Sequence, residues 1–335
     1  MNDLSTSIRR HAWRLAAALG LGVALTGAQA QNKPELLRIG YQKYGTLTLL
    51  KARGELEKRL APQGIDVRWT EFPAGPQLLE GLNVGSIDFG TVGEAPPVFA
   101  QAAGADLVYI ANQPPAPQGE AIVVPKGSAL KSVAELKGKK VVLNKGSNVH
   151  FLLVKALEKA GLKYTDVQTV FLPPADARAA FERGAVDAWV IWDPFLAAAE
   201  KQLGARVLVD GRGLVANHQF YLAARPYAEK RPQVIQAIVD ELARLDRWAE
   251  GHPKEVAAFL GPQIGLDVGI AEVAVSRFAY GIVPIGGAVA AEQQRIADVF
   301  FELGLIPKAI RIADALPAAA SSTSARAGSP VGVVR

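Results

Sequence analysis

The chain has 335 residues, half of them apolar and 21% charged, which is enough to order two domains of roughly 150 residues each. It holds no cysteine and a single methionine, Met1, so thiol nucleophiles, CxxC redox pairs, iron–sulfur ligation and Cys-based zinc sites are excluded. The formal charge of +5 includes Arg9, Arg10 and Arg14 against Asp3 in the first 30 residues; removing that net +2 leaves +3, interspersed with acids, which excludes the single-sign patch that nucleic acid requires.

Residues 1–30 read as a removable export signal. The three arginines precede an apolar stretch at 15–24, and Ala28-Gln29-Ala30 fits a small-x-small cleavage site, so the mature chain is expected to begin near Gln31. Arg9-Arg10 leaves both the general and the twin-arginine route open. An exported chain without a thiol for lipidation is expected in the periplasm, and no later segment approaches the ~18 consecutive apolar residues of a membrane span.

From 36 to 210, short β-type runs alternate with helical pattern: 36–41, 65–71, 87–91, 107–111, 121–124, 140–143, 167–171, 188–192 and 207–209. That alternation predicts parallel α/β sheets. Pro114, Pro115 and Pro117 break the pattern at 112–119, and Asp210-Gly211-Arg212-Gly213 breaks it again. The chain is therefore expected to cross twice between two lobes: 31–112 with 218–316 as lobe 1, 119–210 as lobe 2, and 113–118 with 211–217 as the hinge. A tenth strand at 220–224 precedes helices at 232–250, 253–260, 268–278 and 288–303, which are expected to complete lobe 1. The Ala-, Ser- and Gly-rich tail, 317–335, is expected to be disordered.

An internal echo supports two lobes of one construction. Gly85-Ser86-Ile87-Asp88 recurs as Gly184-Ala185-Val186-Asp187, an offset of 99 that also sets Glu94 on Asp193. Arg38-Ile39 and Gln42-Lys43 recur as Lys140-Val141 and Asn144-Lys145, an offset of 102.

Four strand-to-helix junctions, two in each lobe, fall at the strand ends that border ligand crevices in open α/β sheets: 42–46, 91–94, 145–148 and 192–194. Gly45, Gly93 and Gly146 permit close backbone approach, and the helix starts offer unpaired N–H groups. With Gln42, Thr46, Ser147 and Asn148 they would make a cradle of neutral donors for an oxyanion. Thr46, Ser147, Asn148 and Asp193 are equally the residue types that cap helices, and Lys43 and Lys145 are as readily solvated as drawn into a crevice. The case for a site rests on convergence of the set. Trp192 would cover the apolar part of a ligand. Glu94 and Asp193 would either cap helices or accept from an amine or hydroxyl of the ligand, and His150 and His218 read as loop or core histidines or as ligand contacts. No G-x-S-x-G, P-loop, G-x-G-x-x-G or HExxH pattern occurs, so neither metal nor cofactor is expected.

These runs closely resemble the periplasmic aliphatic-sulfonate-binding proteins, the substrate receptors of sulfonate ABC importers, over about 36–317. The resemblance lies in GYQKYGT at 40–46, FPAGPQ at 72–77, LNVGSID at 82–88, AQAAGADL at 100–107, PADARAAF at 174–181, IWDP at 191–194 and FYLAARP at 220–226. It implies a two-lobed type II periplasmic-binding-protein clamshell, α/β with two crossings between lobes. It also implies an aliphatic sulfonate held by Gln42, the Gly93 loop, the loop from Ser147 to His150, and Trp192-Asp193. A membrane permease as partner, a monomeric state, a role in sulfur assimilation and no enzymatic activity follow from the same resemblance. Two departures touch the pocket wall: Glu94 stands where Asp is usual, and Asn148-Val149 replace small residues. Sulfonates are monoanionic at every biological pH and donate no hydrogen bond from the head group, so neutral donors and an apolar wall suit them. Taurine, nitrate or a pyrimidine are the alternative ligands. An enzyme on the same clamshell, with Glu94 and Asp193 as its acids, is the alternative of a different class.

Overall fold

The computed structural model describes residues 34–317; the export signal, the start near Gln31 and the tail beyond residue 317 lie outside the described residues. The first half of these residues begins with β1 (Glu35–Tyr41), whose Leu37, Ile39 and Tyr41 point inward with the period of two that a strand imposes. It continues through α1 (Gly45–Arg53), α2 (Glu55–Leu60), β2 (Ile65–Glu71), α3 (Gly75–Asn83), β3 (Phe89–Gly93), α4 (Pro96–Ala102) and β4 (Leu107–Asn112). A second set follows: β5 (Glu120–Val124), β6 (Lys140–Leu143), α5 (Asn148–Lys159), β7 (Gln168–Phe171), α6 (Pro174–Glu182), β8 (Ala188–Trp192), α7 (Phe195–Gln202) and β9 (Arg206–Asp210). The chain ends with β10 (Gln219–Ala224), α8 (Arg225–Lys230), α9 (Pro232–Gly251), α10 (Pro253–Ile264), α11 (Val268–Val275) and α12 (Gly287–Glu302).

The strands form two five-stranded sheets, ordered β2-β1-β3-β10-β4 and β7-β6-β8-β5-β9. The two orders are equivalent strand by strand. In each, the fourth member arrives across a lobe crossing and lies antiparallel to both neighbours: β10 beside β3 and β4, β5 beside β8 and β9. The sheets are thus mixed rather than wholly parallel, because a strand entering from the other lobe runs back toward it. The ten expected strands are all present. β3 starts two residues later than its apolar pattern suggests, since Asp88 is used as a clamp.

That clamp is the structural form of the internal echo. The Arg38 N–H donates to Asp88 Oδ2 at 2.8 Å, and the Lys140 N–H donates to Asp187 Oδ2 at 2.8 Å. The Asp88 and Asp187 N–H groups return bonds to the Arg38 and Lys140 carbonyls at 2.8 and 2.9 Å. Each clamp follows a glycine in the left-handed region, Gly85 at φ 72° and Gly184 at φ 67°, where a side chain would be strained.

The crossings, 113–119 and 211–218, run side by side. The Ala116 N–H donates to Ala216 O at 3.0 Å and the Gln113 N–H to Gln219 O at 2.9 Å. Beyond them, α9 begins at Pro232, whose fixed φ and missing N–H suit a first helical position. It turns Val234, Ile238, Leu242, Leu245 and Ala249 onto the first lobe at helical spacing, each worth about 1.5–3 kcal/mol for the larger side chains. The last helices touch both lobes. On one flank, Ile270 and Ala274 of α11 pack on Ala197 and Ala198 of α7. On the other, Phe300 of α12 lies 4.8 Å from Phe99 and 5.8 Å from Phe151, ring centre to ring centre.

Candidate functional site: a pocket between the lobes

The junctions of the two sheets face one another around a small pocket beside the crossings. Gln42 and Tyr44 reach it from the end of β1, Gly75 from the start of α3, and Gly93 from the end of β3. From the second lobe come Asn148, the first residue of α5, and Trp192, the last of β8; Gly119, Asn217 and Gln219 close the crossing side. Every lining side chain is uncharged. The space enclosed is about 10 Å³, roughly that of one water, so the lobes stand nearly shut. Through Gln42, Tyr44 and Trp192 the pocket adjoins a vestibule of about 410 Å³, walled by Phe72, Pro73, Phe195 and Leu266. A groove of about 440 Å³ on the opposite flank, beside Phe99 and Phe171, meets the pocket only at Pro96. Its polar lining, Gln77, Asn83, Asn144, Lys145 and Glu80, includes charged groups, and none of the four junction residues that meet in the pocket, Gln42, Gly93, Asn148 and Trp192, lines it.

The lining is rich in donors that carry no charge. Tyr44 contributes a phenol, Trp192 an indole N–H and Gln219 a carboxamide, while Gln42 donates one N–H to Thr91 O at 3.0 Å and retains another. Tyr44 is braced edge-on by Phe278 at 4.7 Å, and Trp192 by Phe195 at 6.2 Å. Asn148 donates to Glu120 Oε2 and, at 2.9 Å, to Asn217 Oδ1.

Of the ten candidate residues read from the sequence, Gln42, Gly93, Asn148 and Trp192 converge on this pocket. The others serve the frame. The Thr46 hydroxyl donates to Asp246 Oδ1 at 2.6 Å, deep in the first lobe, and accepts from Gln113 at 3.0 Å. Gly45, at φ 70°, makes the turn into α1. The Ser147 hydroxyl donates to Asn144 O at 2.7 Å. His150 is fully buried: Nδ1 accepts the Gly146 N–H at 3.2 Å, which leaves the proton on Nε2, 2.7 Å from the Tyr164 hydroxyl. Burial, then Lys145, lowers its pKa to about 4, so it is neutral. Both lysines lie outside the pocket, Lys43 paired with Glu71 at 3.6 Å and Lys145 over the Phe171 ring at 5.6 Å.

The two acids lie behind the lining. Asp193 accepts the Ala197 N–H of the first turn of α7 at 3.0 Å and faces Arg277 at 3.4 Å; Arg277 also holds Glu200 at 2.7 Å. Burial raises the Asp193 pKa to about 7 although Arg277 opposes it. Glu94 accepts the His218 N–H at 3.1 Å, and burial raises it to about 8. Sequence reading missed Tyr44, Gly75, Pro96, Gly119, Asn217 and Gln219 as lining, and Glu120 and Arg277 behind it. Polar residues at the ends of the crossings, flanking apolar strands, were the available signal.

Two mixed sheets joined by two crossings, with a donor-lined pocket between them, define a two-lobed solute-binding fold of the type II kind. The chain belongs to the NMT1-like family, whose profile matches residues 30–260. It is 49% identical over 305 residues to an aliphatic sulfonate-binding protein of Escherichia coli (strain K12), covering 90% of this chain and 95% of that one. The alkanesulfonate-binding protein SsuA of Xanthomonas axonopodis pv. citri, solved bound to MOPS, superposes with a TM-score of 0.81 at 42% identity, over 85% of this chain and 99% of that one. For the periplasmic aliphatic sulphonate-binding protein SsuA of Escherichia coli the TM-score is 0.75 at 49% identity, over 84% and 91%.

Proposed function

We propose that this protein is the periplasmic receptor of an ABC importer and delivers aliphatic sulfonates to a membrane permease as a monomer, without catalysing a reaction on them. The observation that carries the reading is the uncharged, donor-lined pocket opening through Trp192 onto a mainly apolar vestibule, whose lining also includes Lys43, Glu71 and Arg178. A sulfonate head accepts from neutral donors and needs no counter-charge of full strength, and its carbon tail needs a dry wall. Sulfate and nitrate have no tail to fill the vestibule. In this reading Gln42, Tyr44 and Gln219 meet the head group with the backbone around Gly93, Asn148, whose two N–H groups are taken by Glu120 and Asn217, shapes the pocket wall, and Trp192 lies along the first carbons of the tail. Glu94, Asp193, Thr46, Ser147 and His150 hold those elements in place.

The pocket is nearly shut, so the ligand enters a more open form and favours closure by its greater affinity for the closed one. Titration calorimetry against methanesulfonate, pentanesulfonate, taurine, nitrate and sulfate tests the assignment. One pentanesulfonate per chain, bound more tightly than the other four, is the expected result. Tighter binding of nitrate or taurine, or no sulfonate binding at millimolar concentration, would overturn it.

A further inference from the structure

Glu94 and Glu120 are the residues immediately after Gly93 and Gly119, two glycines that line the pocket. Their carboxyl groups therefore form the layer just behind it, one from the end of β3 and the other from the start of β5. Both are fully buried or within 1% of it. Neither joins an ion pair among the described residues, and each has one oxygen, Oε1, with no partner. The surrounding groups add negative rather than positive charge. Glu94 faces Glu292 of α12, whose carboxylate is 3.6 Å from the His218 ring, and Glu94 itself acts on Glu120. The Tyr44 hydroxyl faces Glu120 from the first lobe. Arg277, the cation on this side of the cleft, is bound to Asp193 and Glu200.

A buried carboxylate without a cation is costly, and two of them behind a site for an anion are costlier still. The bonding pattern does not require either to be ionised. Asn217 donates its Nδ2 to Ala116 O at 2.9 Å, so its Oδ1 must face Asn148 and accept from it. That fixes Asn148 with Nδ2 toward Glu120, and the oxygen it meets there is an acceptor in a protonated carboxyl as in a carboxylate.

We propose that Glu94 and Glu120 are positioning residues that retain their protons and hold Asn148 and the second crossing as neutral acids, so that the cleft binds its anion only while both are protonated. The inference rests on the sulfonate-receptor reading for its ligand but not for the state of the two acids. Burial, with Glu94 adding to it at Glu120, pushes both groups upward, Glu94 to about 8 and Glu120 well above the carboxylate range.

Because a sulfonate does not titrate, any pH dependence of its binding belongs to the protein. The test is calorimetric titration of pentanesulfonate into the wild type, Glu94→Gln and Glu120→Gln between about pH 6 and about pH 9.5, with urea denaturation of the ligand-free proteins over the same range. Wild-type affinity is expected to fall above about pH 8 by up to about tenfold per pH unit for each proton required. The glutamine variants, which keep the acceptor and cannot ionise, should match the wild type at about pH 6 within about twofold and lose less on the alkaline side. A carboxyl raised in the folded state stabilises it below the unfolded pKa and loses that contribution as pH rises through the folded one, so ligand-free wild type should lose stability over this range and Glu94→Gln should lose less. A flat wild-type affinity profile overturns the proposal without recourse to any variant. So does a glutamine variant whose pH slopes equal those of the wild type. If no sulfonate binds, the receptor reading fails by itself and the denaturation arm still decides the state of the acids.

Discussion

Gly93 and Asn148 meet across the cleft where one of them has no side chain: a Cβ at position 93 would stand 2.9 Å from Asn148 Cγ and from its Oδ1. Asn148 cannot retreat, because its Nδ2 is bound to Glu120 and Asn217. The two lobes therefore meet tightly at the pocket, and the glycine is required there by its neighbour in the other lobe.

Gly93→Ala should keep the lobes from shutting while leaving each one folded. Sulfonate affinity is expected to fall at least about tenfold, about 1.4 kcal/mol, and small-angle scattering with saturating sulfonate should show a larger radius of gyration than for the wild type. Gly93→Ala with Asn148→Ala removes the collision and should recover the compact form. Unchanged affinity in the single variant would show that the pocket closes by another route.

Trp192→Ala should cost on the order of 1–3 kcal/mol of binding for pentanesulfonate and much less for methanesulfonate, which has little tail to cover. Were Trp192 only a packing residue, both ligands would lose alike through fold stability. Titration of the two ligands into the folded variant separates the outcomes.

Arg277→Ala should cost about 1–3 kcal/mol of folding stability near pH 8 and less near pH 5. With Arg277 present the Asp193 pKa is about 7, and without it the carboxyl rises further, so in acid Asp193 is protonated in both proteins and only the Glu200 pair is lost. Above that range the variant additionally leaves an Asp193 carboxylate without its cation. Urea denaturation at the two pH values checks this; an equal cost at both would exclude Asp193 as the cause.

The paired clamps should differ in strength. Asp88 takes the Arg38 N–H and two guanidinium bonds, at 2.9 and 2.6 Å, in a buried setting, whereas Asp187 takes the Lys140 N–H alone. Asp88→Ala should cost about 2–3 kcal/mol and Asp187→Ala about 0.5–1.5 kcal/mol. Equal losses in urea denaturation would mean that the Arg38 side chain contributes nothing.

Local pattern made the strands and the four junctions legible, since period-two burial and glycine turns are properties of a few neighbouring residues. The same junctions were ambiguous in which side chains face the ligand. Thr46 turns away because its partner is Asp246, 200 residues further on, and Ser147 turns back to Asn144 because its hydroxyl caps the turn it sits in. Gln42 and Trp192 were recoverable from the rule that ligands gather at strand ends, strengthened by family resemblance. Asn217 was hidden in a segment read only as a hinge, and Gln219 and Glu120 each in the first residue of a strand whose remaining pattern is apolar. Their roles depend on the lobes being brought together, which no local pattern encodes.

The two cross-linked crossings limit how the molecule can move. A single tether would let the lobes swing and twist independently. Two tethers side by side, bonded through Ala116 to Ala216 and Gln113 to Gln219, act as a pinned joint and leave essentially one axis of rotation. The state of the cleft then reduces to one angle, shared by every point on either lobe. In the proposed receptor, a partner straddling the outer faces reads that angle without touching what lies inside, and ligands with different tails are expected to produce the same external report.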